Sequence, residues 1–125
     1  MSKSKLVVTP VQACSAAPIV REPLTEQAAA ELASVFKALS DPMRLRLLSA
    51  IASRAGQEAC VCDLSAGIDL TQPTISHHLK VLREAGLLDS ERRASWVYYR
   101  VVPGALQRLS DVLLAESGAT TGVNA

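Results

Sequence analysis

A mainly α chain with a β-hairpin wing, the winged helix-turn-helix arrangement, is what three features of the sequence predict. Apolar residues recur at helical spacing in four stretches; a short helix, a turn and a longer helix follow one another over residues 61–85; and an aromatic, β-branched run, WVYYRVV, comes soon afterwards. At 125 residues the chain has length for one domain with a core and little to spare for a second.

The elements follow in order. Residues 1–24 hold Pro10, Pro18 and Pro23 among alanines and serines and keep no sustained period, so they are expected to form a flexible arm. Thr25 is the expected N-cap of a first helix, Glu26 favours its positive end, and Leu32, Val35, Phe36 and Leu39 make its stripe. Asp41-Pro42 repeats the start signal, and Leu45, Leu48 and Ile51 mark the buried stripe of a second helix that Gly56 ends. Residues 61–66 form a third helix, closed by Gly67. Thr71 caps a fourth, which runs to Ala85 and Gly86 and turns Ile75, Leu79 and Leu82 to the core. Residues 87–89 and 96–101 read as strands, and the polar residues 90–95 between them as a hairpin tip bearing Arg92 and Arg93. Trp96, Tyr98 and Tyr99 are expected to fill the wing's own core. Pro103 starts a last helix with Leu106, Leu109, Val112 and Leu113 in one stripe, and a Gly/Ala/Thr tail follows from Gly118. The expected boundaries are therefore 1–24 for the arm, 25–116 for the folded domain and 117–125 for a disordered tail. Helices one and five carry more apolar surface than one core needs, so a homodimer through the first and last helices is expected.

Composition excludes several classes of function. The hydrophobic content of 49% and charged content of 20% are globular, and no apolar run nears the roughly 18 residues of a membrane span. Leu6-Val7-Val8 is broken by Thr9 and Pro10 before it reaches signal-peptide length, so a cytoplasmic protein with no membrane partner is expected. No Gly-rich phosphate loop, carboxylate pair or Ser/His/Asp pattern stands out, and an enzyme is not expected. The net charge is +1, but bases exceed acids by two over residues 71–100 while acids exceed bases by two over residues 25–70. Any contact with a polyanion is then local. The fourth helix leaves Gln72, Thr74, Ser76, His77 and Lys80 toward solvent, a hydrogen-bonding face that suits base edges and phosphates in a major groove.

Cys14, Cys60 and Cys62 are the three cysteines, an odd number that argues against a closed disulfide framework. A cysteine beside an apolar run is usually a small buried hydrophobe. Two features set Cys60 and Cys62 apart. Positions i and i+2 of an extended segment point to one side, with Val61 turned to the core, and Cys62 falls at the start of a helix, where exposed N–H groups stabilise a thiolate. Three thiolates leave a tetrahedral zinc site one ligand short, and the two histidines, His77 and His78, lie on the fourth helix. Trivalent arsenic or antimony suits three sulfurs, its lone pair taking the remaining position; cadmium or lead can also be held. An enzymatic redox pair is one alternative, against which the one-residue spacer and the missing thioredoxin-like βαβ pattern count; structural or oxidant-responsive cysteines on a DNA-binding module are another.

The segments ALSDPMRLRLLSAI, ACVCDL, TQPTISHHLKVLREAGLL and SWVYYRV stand in this order over about residues 25–115, and through them the chain resembles the ArsR/SmtB family of winged-helix metalloregulatory repressors. The resemblance implies a homodimer that binds double-stranded operator DNA near its own promoter and is released by metal or metalloid ions, without an organic cofactor, as in arsenical resistance. It places ligands at Cys60 and Cys62 and adds Cys14 from the arm. Several relatives have a cysteine pair where this chain has Ala13-Cys14, so a four-thiolate site is not expected. The family's other common site, on the last helix, uses Asp and His; this helix has Asp111 and Glu116 but no histidine. The inducer implied is As(III) or Sb(III), with Cd(II) or Pb(II), or a thiol-redox signal, as alternatives. For DNA, Gln72, Thr74, Ser76 and His77 are expected on the groove face, with Lys80, Arg92 and Arg93 on phosphates or in the minor groove.

Overall fold

The computed structural model describes residues 16–119. Five helices and a three-stranded antiparallel sheet make up this region. Helix α1 (Glu26–Leu39) begins where the Thr25 hydroxyl accepts the Ala28 N–H, 3.1 Å away, which satisfies one of the donors a helix start leaves open. Helix α2 (Pro42–Ala52) begins with the Asp41 carboxylate accepting the N–H groups of Met43 and Arg44 at 2.8 and 3.2 Å, and proline occupies its first position. These N–H bonds, that from Arg44 first, hold the Asp41 carboxyl below its ordinary pKa.

Helix α2 and the segment after it differ from the sequence reading. The buried stripe of α2 is Leu47, Leu48 and Ile51, whereas Leu45 is 50% exposed. The helix ends at Ala52, ahead of Gly56, whose φ of 73° instead serves a short 3-10 turn at Ala55–Gln57. Strand β1 (Glu58–Cys60) was not foreseen, because three residues are too few to set up an alternation.

Helix α3 (Val61–Gly67) and helix α4 (Gln72–Glu84) form the helix-turn-helix, with α4 capped by the Thr71 hydroxyl. Ile75, Leu79 and Leu82 turn inward from α4 and are wholly buried, as their spacing predicts. Gly86, at φ +85°, then reverses the chain into strand β2 (Leu88–Arg93). Strand β3 (Trp96–Val101) returns antiparallel to it and pairs on its other side with β1, giving the order β1-β3-β2. The hairpin is longer than expected. Register runs out to Arg93 opposite Trp96, so the turn is only Ala94 and Ser95, with Ala94 at φ 56°. Trp96 is half exposed and does not fill a wing core, while Tyr99 packs against the main core.

Helix α5 (Pro103–Ser117) closes on Gly118 at φ +80°, and Leu109 is its buried residue. Residues 16–24 hold no helix or strand; the Arg21 guanidinium there donates to the Glu116 carboxylate at 3.0 Å and to the Ala115 carbonyl at 3.2 Å. One core joins Leu47 and Ile51 of α2, Leu64 of α3, Ile75, Leu79 and Leu82 of α4, and Leu88 and Val101 of the sheet. No described helix is long and apolar enough to cross a membrane.

Candidate functional site

Two surfaces carry chemistry: the outer face of α4 with the wing, and the start of α3. On α4, packing of Ile75, Leu79 and Leu82 fixes the helix's rotation and so decides what faces outward. Gln72, Thr74, His77 and Lys80 are exposed and Ser76 is half-buried. The first turn is held in place: the Thr71 and Thr74 hydroxyls lie 2.9 Å apart, and the Gln72 amide nitrogen is 3.4 Å from the Ser65 hydroxyl of α3. His78 is half-buried, its Nδ1 3.5 Å from the Arg44 guanidinium, so it belongs to the α2–α4 contact more than to the outer face.

On the wing, Arg92 is exposed and Arg93 is not a free cation. Arg93 donates through both terminal nitrogens to the Glu58 carboxylate, each at 2.9 Å, and again to Glu91 at 2.9 Å, and its guanidinium lies 4.5 Å from the Tyr98 ring centroid. Arg100 completes the group, donating to Glu58 at 3.3 Å and Glu91 at 3.0 Å. Hydrogen bonds from Arg93 lower the pKa of both glutamates, and the two carboxylates raise that of Arg93. The picture of Arg93 on a loose hairpin tip is thereby corrected. An arginine at the end of a paired strand, with one acid two residues back on its own strand and another across β3 on β1, is drawn into ion pairs along the sheet.

At the start of α3, Cys60 has two duties. It is the last residue of β1 and the N-cap of the helix: its Sγ accepts the Asp63 N–H at 3.4 Å, while the Asp63 carboxylate accepts the Cys60 N–H at 3.2 Å. This reciprocal pair is a capping box in which sulfur stands where serine or threonine is usual. Cys62 lies inside the first turn of α3, so the two sulfurs meet across a strand-to-helix junction, not along a strand. They are joined as a disulfide, contrary to the free thiols expected. Cys60 is 2% exposed and Cys62 half-buried, with Val61 between them packed against the core. Asp63, which sequence reasoning passed over, brings a carboxylate oxygen into the same cluster: ligand atoms of Cys60, Cys62 and Asp63 lie within 4.8 Å of one another. Its signal was its place three residues after Cys60, where a capping-box acid belongs. Cys14 lies outside the described residues.

Soft sulfur donors at this junction fit a thiophilic ion once the disulfide is reduced, and the Asp63 oxygen offers a harder third donor.

Comparison with known proteins follows the same lines. Residues 41–90 match the family described as bacterial regulatory protein, arsR family. The arsenic resistance transcriptional regulator ArsR1 of Pseudomonas putida is 48% identical over 79 residues, a match covering 63% of this chain and 60% of that relative's length. The crystal structure of the antimony-specific transcriptional repressor AntR is 34% identical, covers 85% of this chain and 98% of its own, and has a TM-score of 0.61. A homodimeric winged helix-turn-helix DNA-binding domain from Mycobacterium bovis, solved by NMR, is 25% identical, covers 78% of this chain and 91% of that one, and has a TM-score of 0.58.

Proposed function

Because the chain belongs to the ArsR family of bacterial regulatory proteins, we propose that it is a metalloid-responsive repressor that holds operator DNA as a homodimer until As(III) or Sb(III) reaches its thiols. Membership makes it a transcriptional regulator and not an enzyme. The observation that carries the metalloid reading is the convergence of Cys60 and Cys62 on the first turn of α3, the helix that packs α4. The arsenic-resistance and antimony-specific names of its relatives support the choice of ion.

DNA is read by α4. Gln72, Thr74, Ser76 and His77 reach base edges in the major groove, Lys80 holds a phosphate, and Arg92 follows the backbone or minor groove from the wing. Arg93 supports that wing from within its ion pairs. The dimer forms through α1 and α5, where Phe36, Leu113 and Leu114 stand exposed beside a groove of about 300 Å³ lined by Leu24, Leu32, Val35 and Val112. A twofold axis there sets two α4 helices about 34 Å apart, one turn of the duplex.

Cys60 and Cys62 hold the ion with Cys14 as the third sulfur. Bound As(III) or Sb(III) supplies soft acceptor positions that thiolates fill. Each Sγ gives up its proton on ligation, and the Cys60–Cys62 disulfide must first be reduced by two cellular thiols, which supply two electrons and two protons and leave joined as a disulfide. Joining Cys14 to the start of α3 fastens the arm to the helix-turn-helix, and the geometry that fits DNA then becomes less populated. Cd(II) or Pb(II) is the second reading of the same thiols, favoured by the Asp63 oxygen beside them.

The test is an arsenite titration of the reduced protein, followed by sulfur-to-arsenic charge-transfer absorbance. Wild type gives a saturating signal, and Cys60→Ser and Cys62→Ser abolish it. Cys14→Ser weakens binding by one ligand's worth. A wild-type protein that binds cadmium but not arsenite would transfer the function to the second reading.

A further inference from the structure

We infer that Glu58 is a positioning residue that couples the thiol site to the wing, so that ligation at Cys60 and Cys62 changes the setting of the DNA-contacting hairpin as well as that of α4. The inference rests on the thiol site proposed above.

The covalent route between the two is short. Cys60 ends β1 and caps α3, so a shift of its sulfur also moves a strand only three residues long. That strand is paired along its length with β3, Cys60 opposite Tyr98 and Glu58 opposite Arg100. Residues i and i+2 of a strand share a face, which places the side chains of Glu58 and Cys60 on the same side of the sheet, with Tyr98 and Glu91 in the row that contains Cys60. The polar groups of this face form one connected set. Glu58, on the first strand in spatial order, reaches across β3 to the last residue of β2 and takes both terminal nitrogens of Arg93 at 2.9 Å. The Arg93 guanidinium covers the ring of Tyr98, the residue directly opposite the ligand Cys60. Arg100 joins Glu58 to Glu91 and closes the ring.

Charge within the set cancels, two carboxylates against two guanidinia, so it has little attraction of its own for phosphate. Its geometric effect is specific. Arg93 is the last residue before the Ala94-Ser95 turn, and a fork held at both prongs fixes the angle at which that turn leaves the sheet. Exposed Arg92, beside it, is the group this angle aims. A plain brace for the wing would involve Arg93 with acids of its own hairpin, such as Glu91. Glu58 is different because it lies on neither hairpin strand, two residues from a ligand, and links the hairpin end to the thiol junction.

The experiment compares wild type, Glu58→Gln and Arg93→Lys in reduced form, measuring arsenite binding by absorbance and duplex affinity by anisotropy with and without saturating arsenite. The duplex is selected from a random pool by the wild-type protein. In wild type arsenite lowers affinity on the order of 5-fold to 150-fold, the usual size of such couplings. Glu58→Gln keeps its side-chain shape and is expected to bind arsenite within about twofold of wild type, while the ratio of DNA affinities without and with arsenite shrinks by about tenfold or falls to one, whatever the change in arsenite-free affinity. Arg93→Lys keeps the charge but gives up the two-pronged bond, and it loses coupling in the same way. Arg92→Ala weakens DNA binding but keeps the ratio. An undiminished arsenite response in both Glu58→Gln and Arg93→Lys overturns the coupling and leaves the repressor reading intact. An unresponsive wild type overturns both.

Discussion

Leu79 and Lys80 are neighbours on α4 with opposite expected behaviour, which makes them a direct test of how that helix is rotated. Leu79 has no solvent exposure and sits in the core with Leu47, Ile51 and Leu82. Truncating it removes transfer free energy and leaves a cavity, together about 2–5 kcal/mol for a buried leucine. Whole-domain stabilities are about 5–15 kcal/mol, so Leu79→Ala is expected to lower the melting temperature by on the order of 10 °C or more, read by circular dichroism at matched protein concentration. Lys80 is exposed and makes no ion pair among the described residues. Lys80→Ala should change stability by no more than about 0.5 kcal/mol. Its effect is on DNA: losing one phosphate contact per protomer lowers the slope of log affinity against log salt by about 0.9 for each contact, near 2 for the dimer. A Leu79→Ala protein that melts like wild type, or a Lys80→Ala protein with unchanged salt slope, would refute the assignment of these two faces.

Other outcomes follow from the same structure. Gly86→Ala meets no neighbouring atom but forces a side chain into φ +85°, so it should destabilise by about 1–2 kcal/mol in a thermal or denaturant melt, in contrast to a Gly67→Ala control, whose φ is not left-handed. The Asp41 and Glu91 pKa values lie below their ordinary ones in the folded chain, so their contribution is present above the unfolded pKa near 4 and lost as pH falls through the folded value. An acid titration of Asp41→Asn should accordingly start from lower stability at neutral pH and lose less below about pH 4 than wild type. Phe36→Asp combined with Leu113→Asp, on the exposed faces of α1 and α5, should shift the protein to monomer in sedimentation and weaken DNA binding. Arsenite should give no charge-transfer signal with the Cys60–Cys62 disulfide intact and gain it on reduction.

Where the sequence was legible, one physical rule governed the element. The Thr25, Asp41 and Thr71 caps and the Ile75, Leu79, Leu82 stripe are local signals, and the structure has each where the sequence places it. The failures share a cause. Leu45 and Leu47 both fit an apolar stripe, and only the packing of α2 against α4 and β3 decides that Leu47 goes inside. Strand β1 exists because β3 offers it an edge, information absent from the three residues Glu58–Cys60. The extra length of the hairpin and the engagement of Arg93 depend on acids 35 and two residues away, a cross-strand pattern that a linear reading of polar residues 90–95 takes for a loop. At the thiol site, cysteine spacing revealed the pair, but the capping role of Cys60 and the approach of Asp63 required knowing where helix α3 begins.

The most direct test of the central claim is release of DNA by arsenite. Reduced protein is bound under anaerobic conditions to its selected duplex, arsenite is added, and fluorescence anisotropy is followed for wild type, Cys14→Ser, Cys60→Ser and Cys62→Ser. The account predicts that wild type leaves the DNA while Cys60→Ser and Cys62→Ser remain bound at every arsenite concentration, with Cys14→Ser impaired in release. A Cys60→Ser, Cys62→Ser double variant that is released as readily as wild type would contradict it.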